Sequence, residues 1–425
     1  MSGRSRVVRP ASAASASSAG CQEGSRPPVI THFLHRGLRV VHQAHPGKLT
    51  AIALTVRAGA RFDGSHPGLA HLAEHMLFQG TVSFDQVALN MRAAELGGEH
   101  NADTGYEDIS ITFEVFNEDL DAALGLLADQ YYHTHIDAKR LRKEQRVVME
   151  EIRGRLDDPA ERLHRRAWSR VFARTMAHPI SGTLASVQRI DVDDVKGFLR
   201  RHFSHPDTVL AVVGGIPAAD LRLAVRRRFR HGRPGVPCRV PPVWIGRGGR
   251  LRLEDEDGNQ SYLIKLISVP PLPRHLLATG VALDLVGSDP DSRLFQELRE
   301  RLGLSYEVGA HLEWGPDWAL AVISASGLRG RAERLVRAVE QTCRAAVERG
   351  FSTEELDRAR KKLRYRYAVL ADSRLDQAMA LAESALWGFP TPQETERIVA
   401  GLSRGEIEGA WRRAMSSAAV TASME

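Results

Sequence analysis

The chain has 425 residues, 43% hydrophobic and 26% charged, with 58 Lys and Arg against 52 Asp and Glu for a formal net charge of +6. That balance fits a soluble globular protein of roughly two to three domains, and the basic residues are scattered among acids rather than gathered in a stripe, which argues against nucleic acid as a partner. The three cysteines, Cys21, Cys238 and Cys343, lie too far apart for a disulfide framework or a thiolate metal site, and no apolar run approaches the roughly 20 residues that span a membrane.

Residues 1–28 are rich in Ala and Ser, carry Arg4, Arg6 and Arg9, and hold no acid before Glu23. The composition suits an organellar transit peptide and a disordered tail alike. Too few apolar residues are present to offset the entropy of ordering, so we read a tail, and expect the chain in the cytoplasm.

From residue 29 the pattern alternates between strands and helices. "LRVVHQAH" and "LTAIALTVRAG" are strand-like runs of branched residues. A helix is expected from Pro67 to Gln79, with Gly80 at its stop, and another in "FDQVALNMRAAEL" before Gly97 and Gly98. "ISITFEVF" reads as a strand, "NEDLDAALGLLADQYYH" as a helix with an acidic first turn. A long helix covers about 137–157 until Asp158 and Pro159 interrupt it, with more helix to about 176, then "VDDVKGFLRRHF" and the strand "TVLAVVGGI". Residues 231–250 hold four prolines and five glycines and form the best linker candidate.

Beyond the linker the order repeats. Strand "SYLIKLISV", helices over about 275–301, strand "WALAVISASG" and a helix over 331–350 precede a second long charged helix over 352–388. The repeated order predicts an α+β fold of two homologous halves, residues 29–230 and 251–425, each about the size of one core.

The segment "PGLAHLAEHMLFQGT" carries the chemistry. At about 100° per residue, His71, Glu74 and His75 share one helix face, while Leu69, Leu72, Ala73, Met76 and Leu77 share the other. Two imidazoles one turn apart can share a zinc ion, and a carboxylate beside them can take a proton from water that the metal acidifies. The bland alternative is an ordinary polar face. Catalytic zinc wants a third protein ligand, and "KEQRVVMEEIRG" offers Glu144, Glu150 and Glu151. On that helix Glu150 points to solvent, whereas Glu144 and Glu151, seven apart, sit on one face at the rim of the apolar stripe. Carboxylates there need something positive opposite them, either the metal or neighbouring arginines such as Arg142 and Arg146.

The His71-x-x-Glu74-His75 order is that of the inverted zincin motif. Together with "GGEHNADTGYEDISITFEV", "EQRVVMEEI" and "SRLFQELRERLGLSYEVG", it resembles the M16, or pitrilysin-type, zinc metallopeptidases over nearly the whole chain after residue 29. The length resembles their short subfamily with two halves per chain. The resemblance implies two halves, each a mainly antiparallel sheet packed with helices, forming a clamshell around a peptide chamber. It implies Zn(2+) held by His71, His75 and Glu151, Glu74 as general base, and Glu144 as an auxiliary glutamate. Asn101 falls in the segment whose edge strand pairs with a peptide substrate. Arg293 and Tyr306 match an Arg/Tyr pair that reaches into the chamber. For Arg293 the alternative is a surface salt bridge, and for Tyr306 a packing role. The glycine pair expected before Arg293 is replaced by "GSDPD".

If the two long helices align, Ala359 and Arg366 stand where Glu144 and Glu151 stood, and no second His-x-x-Glu-His occurs. The second half is therefore expected to bind substrate without metal. The function implied is a zinc endopeptidase acting on peptides or unfolded segments, as a homodimer or with an M16 homologue. The alternatives are a non-catalytic scaffold subunit and a maturation protease for a ribosomally made precursor.

Overall fold

The computed structural model describes residues 30–243, 245–246, 248–255 and 258–425, so the tail read over residues 1–28 lies outside the described residues. The first sheet is built from β1 (Ile30–His35), β2 (Leu38–Ala44), β3 (Leu49–Val56), β4 (Glu99–Thr104), β5 (Ile109–Phe116) and β6 (Thr208–Gly214). Its helices are α1 (Leu69–Leu77), α2 (Gln86–Glu95), α3 (Leu120–His133), α4 (Ala138–Asp157), α5 (Pro159–Val171), α6 (Leu184–Arg189), α7 (Val192–His202) and α8 (Ala218–Arg228). The second sheet comprises β7 (Gly249–Leu253), β8 (Gln260–Ser268), β9 (Glu307–Trp314), β10 (Ala319–Leu328) and β11 (Ala419–Met424). With it come α9 (Pro273–Leu283), the single turn α10 (Arg293–Phe295), α11 (Ala332–Arg349), α12 (Thr353–Asp372), α13 (Arg374–Trp387), α14 (Pro392–Ala400) and α15 (Arg404–Ser416).

The strand orders are β1-β2-β6-β3-β5-β4 and β7-β11-β8-β10-β9. Setting β1 aside, these are one topology twice, down to the single parallel pairing of β2 with β6 and of β7 with β11. The duplication expected from element order is therefore present in the backbone. The long helices agree: α4 and α12 each run 20 residues, and aligned from their first residues they set Ala359 opposite Glu144 and Arg366 opposite Glu151.

Each sheet is buried on both faces, which is why its central strands read as unbroken apolar runs. On the first sheet Ile52, Leu54, Leu210 and Val212 face the core shared with α1, α3, α4 and α7. The alternate residues Val41, Ala51, Ala53, Val209, Ala211 and Val213 pack instead on Ala378, Leu381, Ala382 and Leu386 of α13, a helix of the second half. The reciprocal contact places Leu163, Ala167 and Trp168 of α5 on Ile264, Leu266, Val420 and Ala422 of the second sheet. The halves thus exchange equivalent helices, so the sequence boundary at the linker is not the boundary between cores.

Two sequence readings are corrected. The long helix over 352–388 is two helices, broken where Ser373 caps α13 by accepting the Asp376 N–H at 3.2 Å. Helix α5 ends at Val171 rather than near 176, and a separate short turn covers Arg174–Ala177. The linker region is strapped down: Arg233 O accepts from His205 N (3.0 Å), and Cys238 N donates to Asp207 (2.9 Å). Among the described residues no helix is long and apolar enough to cross a membrane.

Candidate metal centre

The metal-helix candidate α1 starts at Gly68, whose φ of 93° belongs to glycine and where a Cβ would lie 2.7 Å from Ser181 O. The Asp63 carboxyl group accepts the N–H groups of Gly68 (2.7 Å) and Ala70 (2.8 Å) at the start of the helix, while its complete burial raises its pKa to about 8 against those bonds. The face expected to be polar is itself buried: His71 is 5% exposed and Glu74 8%.

One helical turn puts the rings of His71 and His75 4.7 Å apart, centroid to centroid. Nε2 of each faces Glu151 Oε2 on α4, at 3.7 Å and 3.8 Å respectively. Among the described residues this is the one group of three such side chains whose donor atoms all lie within 4.8 Å of one another. Glu150 is exposed and pairs with Arg153, as its helical position predicts.

The donor set fits zinc. Glu151 Oε2 is a buried oxygen with no hydrogen-bond partner, aimed at two nitrogens beyond hydrogen-bonding reach. Four ligands around zinc at about 2.0–2.2 Å stand about 3.3 Å apart, somewhat closer than the 3.7 and 3.8 Å between Glu151 and the two imidazoles. Glu144 is placed behind it. Its Oε2 lies 3.0 Å from His75 Nδ1, the contact that presents the other ring nitrogen to a metal. Lys143 Nζ stands 3.7 Å from the other Glu144 oxygen.

The electrostatics follow from burial. Desolvation, reinforced by His75 and Arg155, lowers the His71 pKa to about 3, which keeps the imidazole neutral, the form that can bind a metal. Desolvation raises Glu74 to about 7 against the pull of His75 and the hydroxyl of Thr104, which donates to Glu74 Oε2 at 2.7 Å. For His75 burial again opposes the charge, but the Glu144 hydrogen bond and the charges of Glu74 and Glu151 raise its pKa.

The remaining candidates lie elsewhere. Asn101 is exposed on β4, an edge of the sheet that pairs with β5 alone. His100 and Thr104 face α1, with the His100 ring 4.8 Å from Phe78, so Asn101 occupies the opposite face. Arg293 is not brought to the cluster. It makes a two-pronged pair with Glu355 (2.8 and 2.8 Å), donates to Gly350 O (2.6 Å) and lies over Phe351. The salt-bridge alternative describes it. Tyr306 is 58% exposed, just before β9. At the equivalent place in the second half, Arg366 pairs with Asp284 at 2.7 Å, an ion pair where the first half has Glu151.

Sequence reasoning passed over Asp63 and Thr104. Asp63 was visible as an acid shortly before the helix start. Thr104 was visible only through its period-two alternation with His100, once β4 is recognised as a strand.

Comparison with known proteins identifies the family. Residues 39–182 match the model of insulinase, peptidase family M16, and residues 189–363 match that of the M16 inactive domain. The chain belongs to the M16 peptidase family. Its α+β fold of two homologous halves is shared with a solved protease from Helicobacter pylori, at a TM-score of 0.87 and 17% identity over 94% of this chain and 99% of that one. A structure described as a peptidase M16 inactive domain from Pseudomonas fluorescens also reaches 0.87 at 17% identity, over 93% and 98% of the two chains. Among curated sequences, an uncharacterized zinc protease of Rickettsia felis is 25% identical over 88% of this chain and 91% of its own. One of Mycobacterium leprae is 29% identical over 77% and 76%. His71, Glu74, His75 and Glu151 all fall in the segment matched by the peptidase model.

Proposed function

We propose that this chain is a zinc-dependent endopeptidase that cleaves peptides or unfolded protein segments. The observation that carries the reading is the convergence of His71, His75 and Glu151 from two separate helices around an orphaned carboxylate oxygen, with Glu74 one residue from His75. Zinc bound there supplies Lewis acidity, polarising a scissile carbonyl and acidifying water. Glu74 takes a proton from the attacking water and passes it to the leaving amine. Its Oε2 is occupied by Thr104, which leaves Oε1 for that work. Glu144 holds the His75 ring. The open edge of β4, with Asn101 on it, accepts an extended peptide through main-chain hydrogen bonds, a mode that reads sequence loosely.

A second chain, another copy or an M16 homologue, completes the chamber. Two facts support that part: Arg293 is spent on Glu355, and Tyr306 is 58% exposed. The test is zinc content together with a mass-spectrometric map of products from a peptide mixture, with and without chelator. One zinc per chain, cleavage abolished by chelator, and Glu74→Gln inert with its zinc retained are the expected results. A metal-free, inert chain is a scaffold, and overturns the proposal.

A further inference from the structure

Two hairpin turns made equivalent by the duplication, 105–108 between β4 and β5 and 315–318 between β9 and β10, meet each other across the halves. Trp318 Nε1 donates to Glu107 Oε1 at 2.7 Å. The Arg61 guanidinium, fully buried, bridges Glu107 (3.2 Å) and Asp317 (2.6 and 2.7 Å), and its Nε donates to Pro241 O (2.7 Å). Gly315 makes the approach possible, since a Cβ there would lie 2.5 Å from Glu107 Oε1. The rest of the first turn is held as firmly. Tyr106 stacks on Trp168 of α5 with centroids 4.9 Å apart, and Trp387 of α13 donates to Asp108 at 2.8 Å. The loop entering α1 is stitched to the same turn, Ala60 N to Gly105 O (3.0 Å) and Arg61 N to Tyr106 O (2.8 Å). A buried guanidinium surrounded by its full set of acceptors tolerates little displacement, because any lost partner leaves a desolvated charge.

Thr104 is the residue immediately before this turn, and its hydroxyl holds Glu74 Oε2. A glutamate has three rotatable bonds, while proton transfer needs its oxygen within about 2.6–3.2 Å of the water. We propose that Thr104 is a positioning residue for Glu74, and that turn 105–108, clamped by turn 315–318, fixes Thr104 in place. The half without metal ligands thereby aims the catalytic carboxylate of the other half. This rests on the role proposed above for Glu74.

The experiment compares wild type, Thr104→Ser, Thr104→Val, Trp318→Phe and the Thr104→Val/Trp318→Phe double variant. Each is measured for zinc per chain, thermal midpoint, and kcat and KM on a fluorescence-quenched peptide taken from the wild-type product map. Thr104→Val is expected to lower kcat about tenfold or more with KM, zinc and midpoint near wild type, because a bond to a charged group is lost. Thr104→Ser restores kcat to within about threefold, since it keeps the hydroxyl. Trp318→Phe, which removes only an indole N–H and keeps a ring, lowers kcat severalfold alone and adds nothing to Thr104→Val. Wild-type kcat in Thr104→Val, an equal loss in Thr104→Ser, or independent losses in the double variant each overturn the proposal. A wild type that binds zinc yet cleaves nothing refutes the endopeptidase reading instead. Crystals of zinc-loaded protein then decide the positioning: one Glu74 rotamer in wild type and Thr104→Ser but several in Thr104→Val supports it, and the same rotamer in all three overturns it.

Discussion

His75 turns Nδ1 to Glu144 Oε2 at 3.0 Å and Nε2 towards Glu151 Oε2 at 3.8 Å, so one ring is fixed between two carboxylates seven residues apart on α4. The first contact sets which nitrogen is offered to a metal and strengthens it as a donor. Glu144→Ala is therefore expected to weaken zinc binding by about 10–100-fold although Glu144 is not itself a ligand. Competition against a fluorescent zinc chelator measures this. An unchanged affinity would mean that the 3.0 Å contact contributes nothing to the site.

The metal-free chain carries a pH signature. Burial keeps the Glu74 carboxyl protonated up to about 7, while in the unfolded chain it ionises near 4.5. Between those values the folded state binds the extra proton, so this group's contribution to stability falls as pH rises and is lost above about 7. His71 runs the other way. Lowered to about 3 from 6.5, it is charged in the unfolded chain below 6.5, so its contribution grows from about pH 3 to 6.5 and is then level. At pH 8 both contributions are level: His71 is neutral in both states, while Glu74 is ionised in the folded chain against the full cost of its burial. Glu74→Gln should thus raise the thermal midpoint of chelated protein at pH 8 by a few degrees and change it little at pH 5, and zinc should erase the advantage, because a cation favours the carboxylate. Calorimetry at the two pH values checks it, and equal midpoints at pH 8 under chelator would sink it.

The candidate metal-binding set could be proposed from the sequence because its geometry is local. His71, Glu74 and His75 lie within one turn and a half of helix, and Glu144 and Glu151 share a face of another, so helical periodicity alone orders them. The pairing of those helices was legible only through the resemblance. Two things had no local signal. The exchange of α5 and α13 depends on which sheet each apolar stripe meets, and periodicity gives the stripe but not its partner. Arg293 carries the sequence context of a chamber arginine, yet Glu355, 62 residues on, takes it, and no spacing rule predicts a contact of that range.

Arg293 and Glu355 meet through two parallel bonds of 2.8 Å, both side chains mostly buried, the guanidinium also lying 5.0 Å over the Phe351 ring. Such a two-pronged pair is among the stronger surface-to-core contacts. Arg293→Ala and Glu355→Ala should each destabilise the chain, and the double variant by less than their sum, with a coupling of about 1–2 kcal/mol. Urea unfolding of the four proteins measures it. Strictly additive losses would show that the pair is geometric coincidence.

The exchanged helices make the halves dependent on each other. Without α13 the outer face of the first sheet would present Val41, Ala51, Ala53, Val209, Ala211 and Val213 to water, a contiguous apolar patch of the kind that aggregates. Without α5 the second sheet would likewise uncover Ile264, Leu266, Val322 and Val420. Burying one leucine such as Leu381 is worth about 1.5–3 kcal/mol, so losing a whole helix face exceeds a domain's usual margin of about 5–15 kcal/mol. A chain cut to residues 1–243 is expected to be insoluble or molten when made alone and to recover a cooperative transition when made together with residues 244–425. Thermal unfolding of the two preparations, with zinc content of the reconstituted pair, tests this. A 1–243 fragment that is soluble, unfolds cooperatively and binds one zinc by itself would show that α13 is dispensable to the first sheet, and the interlocked reading of the two cores would fall.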